Sequence, residues 1–182
     1  GAPKFPTFNL YETLIYFYNK SKNRKYLDPV TLLVNQLCSK GIYDHVEGGI
    51  ARYTVDENWI IPHFEKMLYD NTQFVLLLSK YCKLNPEIYF KEKLDQTINF
   101  LIKNFINNEG FLGSALDADS DGVEGKYYVF SYDEIKVKKY DYLDRNFIVF
   151  AETESYDILI LEDEQIVIKI SKTDKKIKKE KC

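Results

Sequence analysis

The sequence predicts a mainly α protein built from α/α hairpins, with short β elements near its C-terminus. Three observations predict it. Apolar residues recur at three- and four-residue steps from Phe8 to about Asn107. Cap-and-proline punctuation divides that stretch into helices joined by short connections. After Gly110 the helical period gives way to Gly-, Asp- and Ser-rich turns and β-prone runs. Helices joined by short loops bury their apolar stripes against one another, so two hairpins fit into residues 1–107.

The first helix is expected over about Asn9–Lys20, with Leu10, Leu14, Phe17 and Tyr18 as its apolar stripe. In the second, Asp28 is the expected N-cap, Pro29 the first helical residue and Gly41 the left-handed terminator, with Leu33, Leu37 and Cys38 facing inward. The third is expected from about Pro62 to Leu84. Its run Phe74-Val75-Leu76-Leu77-Leu78 leaves little room for a polar face and predicts burial on most sides. The fourth opens at Asn85-Pro86 and aligns Leu94, Ile98, Leu101, Ile102 and Phe105.

Beyond Gly110, Lys126–Phe130 has strand composition and Ser131 to about Tyr140 returns to a helical pattern. Phe147–Phe150, Ile158–Leu161 and Ile166–Ile170 are β-prone, the last two separated by an acidic turn that predicts a small hairpin. The lysine-rich end from Lys172 to Cys182 cannot bury much apolar surface and is expected to be frayed. The domain reading is therefore a partial helical domain over 1–135, an α/β end over 136–170 and a charged tail over 171–182.

A net charge of −3 provides no field that would gather nucleic acid or an anionic membrane. No run approaches the ~20 apolar residues of a membrane span, and Gly1-Ala2-Pro3-Lys4 has no signal-peptide core, so a cytoplasmic location is expected. Cys38, Cys82 and Cys182 lack a C-x-x-C pair and read as reduced thiols. A first residue other than Met suggests a fragment or a processed product.

Chemistry is concentrated between Gly41 and Asn71, which holds both histidines, His45 and His63. Gly41, Gly48 and Gly49 permit the loop geometries of a site rim. Arg52, Tyr53, Asp56 and Trp59 are the kinds of groups that grip a polyhydroxyl ligand. Pro62-His63-Phe64-Glu65 reads as a helix start that would put His63 in the first turn, where the dipole disfavours imidazolium and leaves a base. Asp70, seven residues on, would lie near the same face. The competing reading is that His63, Glu65 and Asp70 cap helices and tie loops. The spacing is not H-E-x-x-H, and two histidines with scattered cysteines do not make a zinc site. Asp117-Ala118-Asp119-Ser120-Asp121-Gly122 opens like a calcium loop, but Tyr128 stands where the bidentate Glu belongs. The alternative there is a structural or substrate-facing loop presenting Asp117 and Asp119. No cofactor is expected.

Several segments together carry a resemblance: Gly1-Ala2-Pro3-Lys4-Phe5-Pro6, Gly41-Ile42-Tyr43-Asp44-His45, Arg52-Tyr53-Thr54-Val55-Asp56, Pro62–Asn71, Ser114–Ser120 and Val123–Tyr128. They resemble the thioredoxin-domain proteins related to spermatogenesis-associated protein 20, which join a thioredoxin-like domain to a six-hairpin toroid. The resemblance covers about residues 1–135. It implies a toroid related in fold to N-acylglucosamine 2-epimerases and six-hairpin glycosidases, with the site in the central funnel. This chain starts at the motif that follows the thioredoxin-like domain, so no redox role carries over. Ile50-Ala51 stands where the family usually has Phe-His, which removes a histidine beside Arg52. A closed toroid of this class needs roughly twelve helices, and about four or five are legible here.

The sequence is thus read as a truncated or split toroid member, inactive alone, with part of a carbohydrate-type pocket. Tyr43, His45, Arg52, Tyr53, Asp56, Trp59, Asp117 and Asp119 are assigned to substrate. His63 is assigned as base or acid, Glu65 or Asp70 as its carboxylate partner and Arg52 as the orienting group, for sugar epimerisation or isomerisation. A carbohydrate ligand and a partner chain completing the toroid are the expected partners, with no nucleic acid and no membrane. The rival is a non-catalytic binding or assembly module, or a decayed gene product.

Overall fold

The computed structural model describes residues 1–128, together with the backbone of three strands further on. Helices α1 (Phe8–Ser21), α2 (Arg24–Ser39), α3 (Leu68–Leu84) and α4 (Ile88–Phe105) form two hairpins. The first, α1 with α2, meets the second, α3 with α4, chiefly through α1 against α3. The shared core is built from Phe8, Ile15, Val30, Val34, Leu37, Phe74, Leu77, Leu78, Tyr81 and Phe90. Two-residue strands β1 (Lys66–Met67) and β2 (Ala115–Leu116) pair antiparallel, as do β3 (Asp119–Ser120) and β4 (Val123–Glu124). The backbones of β5 (Ile148–Val149), β6 (Asp157–Glu162) and β7 (Gln165–Ile170) form an antiparallel sheet in which Leu161 faces Ile166. The expected helix at Ser131–Tyr140 and the charged tail lie outside the described residues.

Several helix ends differ from expectation. Helix α2 begins more than a turn before Pro29, because the Asn23 side chain accepts from the Lys25 N–H at 3.1 Å and supplies an earlier cap. Asp28 then pairs with Arg24 at 3.2 Å, and Pro29 lies inside the helix, where its missing N–H forgoes only a bond to the first turn. Helix α2 ends at Lys40 in extended conformation, so Gly41 is not the left-handed terminator. Helix α3 starts at Leu68 rather than Pro62, because Lys66–Met67 is taken by the β1–β2 pairing and Phe64 adopts φ 62°. Asn85 closes α3, and α4 opens only at Ile88.

The helix faces also shift. Leu10 and Phe17 of α1 are exposed while Phe8 and Ile15 are buried. The buried stripe of α4 runs through Phe90, Lys93, Thr97 and Phe100, leaving Ile102 exposed. On α3, Phe74, Leu77 and Leu78 are buried and Leu76 is not. Leu33, Leu37 and Cys38 do face inward. Lys126–Tyr128, expected as strand, is a turn, and the last two residues of that run lie outside the described residues.

Residues 40–67 join the hairpins with little regular structure, yet Ile42, Tyr43, Ile50, Ala51 and Trp59 in this segment are buried. Buried backbone groups need partners, and α3 provides them. Asn71 accepts the Ile50 N–H at 2.8 Å and returns its amide to Ile50 O and Met67 O, both at 3.0 Å. Replacing Asn71 by Ala leaves two buried groups of Ile50 unpaired. We predict a loss of about 2–4 kcal/mol in urea unfolding with an unchanged m-value, and a loss under 0.5 kcal/mol would show that water replaces the carboxamide.

Candidate functional site

An extended run at residues 52–54 lies antiparallel to residues 62–65: Arg52 N–H donates to Glu65 O at 2.8 Å and His63 N–H to Tyr53 O at 3.1 Å. Between them the Glu65 N–H folds back onto His63 O at 2.8 Å, a γ-turn centred on Phe64 with positive φ. The turn gives His63 and Glu65 different neighbours. His63 stacks on Tyr53 with centroids 4.7 Å apart and planes 17° apart, and Tyr53 in turn packs on Phe5 at 4.8 Å. Glu65 instead meets the Arg52 guanidinium at 3.2 Å. The expectation that His63 and Asp70 share a helix face fails, because His63 precedes α3 altogether.

Asp70, in the first turn of α3, stands near Arg52 and Glu65. It is only 8% exposed, and its Oδ2 has no hydrogen-bond partner among the described residues. Burial pushes its carboxyl up to about 6, against the partial relief given by Arg52 and with a further push from Glu65. Arg52 and Asp70 share a cleft of about 370 Å³ with Phe5, Thr7, Asn9 and Gln73. Charged donor, carboxylate, amides and an aromatic ring converge there, the mixture that fixes an otherwise neutral polar ligand.

The remaining residues assigned from sequence lie elsewhere. Tyr43 is buried, its hydroxyl donating to Lys93 O at 3.1 Å or Gln96 Oε1 at 3.0 Å. His45 is buried beside it. Its Nε2 faces Lys40 O at 3.1 Å, which only an N–H can satisfy, so Nδ1 is left to accept from Lys93 Nζ at 3.2 Å. Burial first, and the Lys93 ammonium second, lower the imidazole to about 3, while burial lowers Lys93 to about 8. Trp59 is buried under the Lys4 ammonium, 4.5 Å from the ring centroid. Asp56 is spent on the loop, accepting from the N–H groups of Asn58, Ile60 and Ile61. Asp117 and Asp119 are exposed on the β3–β4 hairpin, where Asp121 (φ 53°) and Gly122 (φ 75°) form its two-residue turn and Asp121 pairs with Lys126 at 2.7 Å. Among the described residues no three His, Cys, Asp or Glu side chains are grouped to hold a metal, and no helix is long and apolar enough to cross a membrane.

Sequence reasoning missed three polar residues that shape this region. Lys66 is buried, with its ammonium 2.6 Å from Asp44 Oδ2 and 3.0 Å from Gly48 O, and 4.2 Å from the Phe100 ring centroid. Asn71 clamps Ile50. Glu124 places Oε1 2.8 Å from His63 Nδ1. The signals in the sequence were the Pro62–Asn71 motif for Lys66 and Asn71 and the Val123–Tyr128 motif for Glu124.

The paired helices and this loop-built cleft are those of an α/α-hairpin protein with the fold of part of a six-hairpin glycosidase. The chain superposes on a family 76 glycoside hydrolase from a bovine Bacteroides thetaiotaomicron strain with a TM-score of 0.53, at 17% identity, covering 63% of this chain and 24% of that one. Over its N-terminal part the chain is homologous to spermatogenesis-associated protein 20. It is 30% identical to the human protein over 145 residues, 74% of this chain and 18% of that protein. An uncharacterized Caenorhabditis elegans protein, B0495.5, is 33% identical over 148 residues, 74% of this chain and 20% of its own. The chain thus spans about a fifth of the length of these curated relatives. No family model matches it.

His45 has a stability consequence. Its imidazole is lowered from 6.5 to about 3 in the fold, so the unfolded chain binds the extra proton between those values. The stability this neutral group contributes is complete above pH ~6.5 and is lost as pH falls towards 3, on the order of 4 kcal/mol in all. His45→Gln is expected to flatten the acid limb of a urea-unfolding series from pH 7 to 4. A variant whose stability falls as steeply as that of the native chain would show that His45 is not the proton acceptor.

Proposed function

We propose that this chain contributes two helical hairpins and part of the site of a six-hairpin toroid that binds a carbohydrate, and that the completed toroid epimerises or isomerises a sugar. The observation that carries the reading is Asp70: a nearly buried carboxylate with an unpartnered oxygen, raised to about 6, on the wall of the cleft that holds Arg52. A group with such a value can both give and take a proton near neutral pH. Arg52, held by Glu65, is placed to orient a hydroxyl or carbonyl oxygen. Phe5 gives a sugar ring an apolar face. His63, one stacked ring from Phe5 through Tyr53, is the second acid/base group. The glycoside hydrolase named for the structural neighbour adds support for carbohydrate as the ligand class.

In this reading activity needs the missing hairpins, on a partner chain or on further sequence, and a soluble cytoplasmic protein is the setting. The exposed Leu10, Phe17, Leu32, Leu76 and Ile102 favour a second reading, a non-catalytic module that docks on another chain.

The test is a thermal-shift series on the purified chain with neutral hexoses and N-acylated hexoses. A rise in Tm with one sugar, abolished by Asp70→Asn, is expected; indifference of the native chain to every sugar would show that the residues of this chain do not by themselves form a sugar pocket. The same variant has a pH signature. A carboxyl raised from 3.8 to about 6 contributes stability below pH ~3.8 that is lost as pH rises through 6, so at neutral pH its charge is a cost. Asp70→Asn is therefore expected to be more stable than the native chain by about 1–2 kcal/mol at pH 7.5, with the difference closing by pH 4. Equal stability at pH 7.5 would show that Asp70 is solvated and not poised.

A further inference from the structure

We propose that Glu124 is the positioning residue for His63, holding the imidazole with its proton on Nδ1 and so presenting Nε2 as the proton-accepting atom of the site. This deepens the acid/base reading above and rests on it for the ligand, not for the proton's position.

Glu124 Oε1 lies 2.8 Å from His63 Nδ1. The contact is a close charge approach and not an aligned hydrogen bond, and a carboxylate oxygen, which has only lone pairs to offer, favours the proton on the nearer ring nitrogen. His63 Nε2 has no partner among the described residues, and the side chain remains 31% exposed. The ring is oriented from one side by Tyr53, and the backbone N–H of His63 is tied to Tyr53 O.

Both members of the pair are set by an interlock one residue further along each segment. Phe64, buried in the left-handed region, fills the space beside Gly125: a Cβ there would come within 2.7 Å of the Phe64 ring. Gly125 has φ 75°, and its N–H is tied to Ala118 O at 2.8 Å. Phe64 also stacks on Tyr128 at 5.9 Å. The β3–β4 hairpin is thereby docked on the γ-turn, and Glu124 is delivered to His63. A non-glycine residue at positive φ is costly, and this one is retained where it separates His63 from Glu65.

Chemically, Nε2 accepts a proton from an O–H, or from a C–H next to a carbonyl, of a ligand lying along the Phe5–Tyr53 ledge. The electron pair of the broken bond stays on the ligand, and the imidazolium is balanced by the Glu124 carboxylate. Return of the proton from Nε2 restores the neutral ring.

The proton's position can be read directly by long-range proton–nitrogen NMR correlations of the side-chain imidazoles at alkaline pH. The two histidines are expected to show opposite tautomers, Nε2–H for His45 and Nδ1–H for His63, with His45→Gln assigning the signals. Glu124→Ala is expected to move the His63 proton towards Nε2 while His45 stays unchanged, and Glu124→Asp to restore Nδ1–H at least in part. A native His63 protonated on Nε2 would overturn the proposal, as would a tautomer indifferent to Glu124→Ala in a chain that keeps its His45 signature. If Glu124→Ala does not fold, the native spectrum decides alone. Because no sugar is present, a failure here is separable from a failure of the carbohydrate reading.

Discussion

The Asn71 carboxamide and the Lys66 ammonium take the place of secondary structure for the segment between α2 and α3. That segment places Ile42, Tyr43, Ile50, Ala51 and Trp59 in the interior, so its backbone must be paired with something other than water. Asn71 engages both polar groups of Ile50, and Lys66 reaches Gly48 O while neutralising Asp44. Gly49 makes the approach possible: its φ is 80°, and a Cβ would lie 2.6 Å from the Phe100 ring and 2.9 Å from Asn71 Oδ1. Burying an ion pair costs desolvation that the pair itself need not repay. Lys66 also packs on Phe100 and Tyr128 and so ties the loop to α4 and to the segment after β4.

Everything in the cleft depends on that anchoring. Once Ile50 is fixed, Arg52 and Tyr53 run alongside residues 62–65, and the γ-turn at Phe64 distributes the polar groups. Arg52, Glu65 and Asp70 gather on the cleft side, whereas His63 goes to Tyr53 and Glu124. The densest polar segment of the chain therefore divides its labour. Lys66 and Asn71 hold the fold, and Asp70, with one oxygen unsatisfied, is left in a state that folding alone would not favour. A residue in that state makes the cleft the natural place to look for chemistry.

The two histidines illustrate how environment separates identical side chains. His45 sits among Tyr43, Lys93 and Lys40 O, where a second positive charge would be expensive, and it stays neutral as part of the core. His63 retains access to solvent and a carboxylate neighbour. Their clustering in sequence pointed to one site, but the structure assigns one to packing and leaves the other available.

The sequence by itself determined the helical hairpins, the inward faces of α2 and the family resemblance, and it singled out the polar segment from Gly41 to Asn71. Those properties are written in local periodicity and in motifs longer than chance supplies. Only the tertiary structure decided where α3 begins, because the β1–β2 pairing joins residues about fifty positions apart. The same holds for the buried face of α4, set by the loop that packs on it. It also decided that Tyr43 and Trp59 serve the scaffold and that Glu124 meets His63. Each of these outcomes rests on contacts between residues far apart in the chain, and spacing along one sequence carries no record of which distant backbone group or charge a polar side chain will meet.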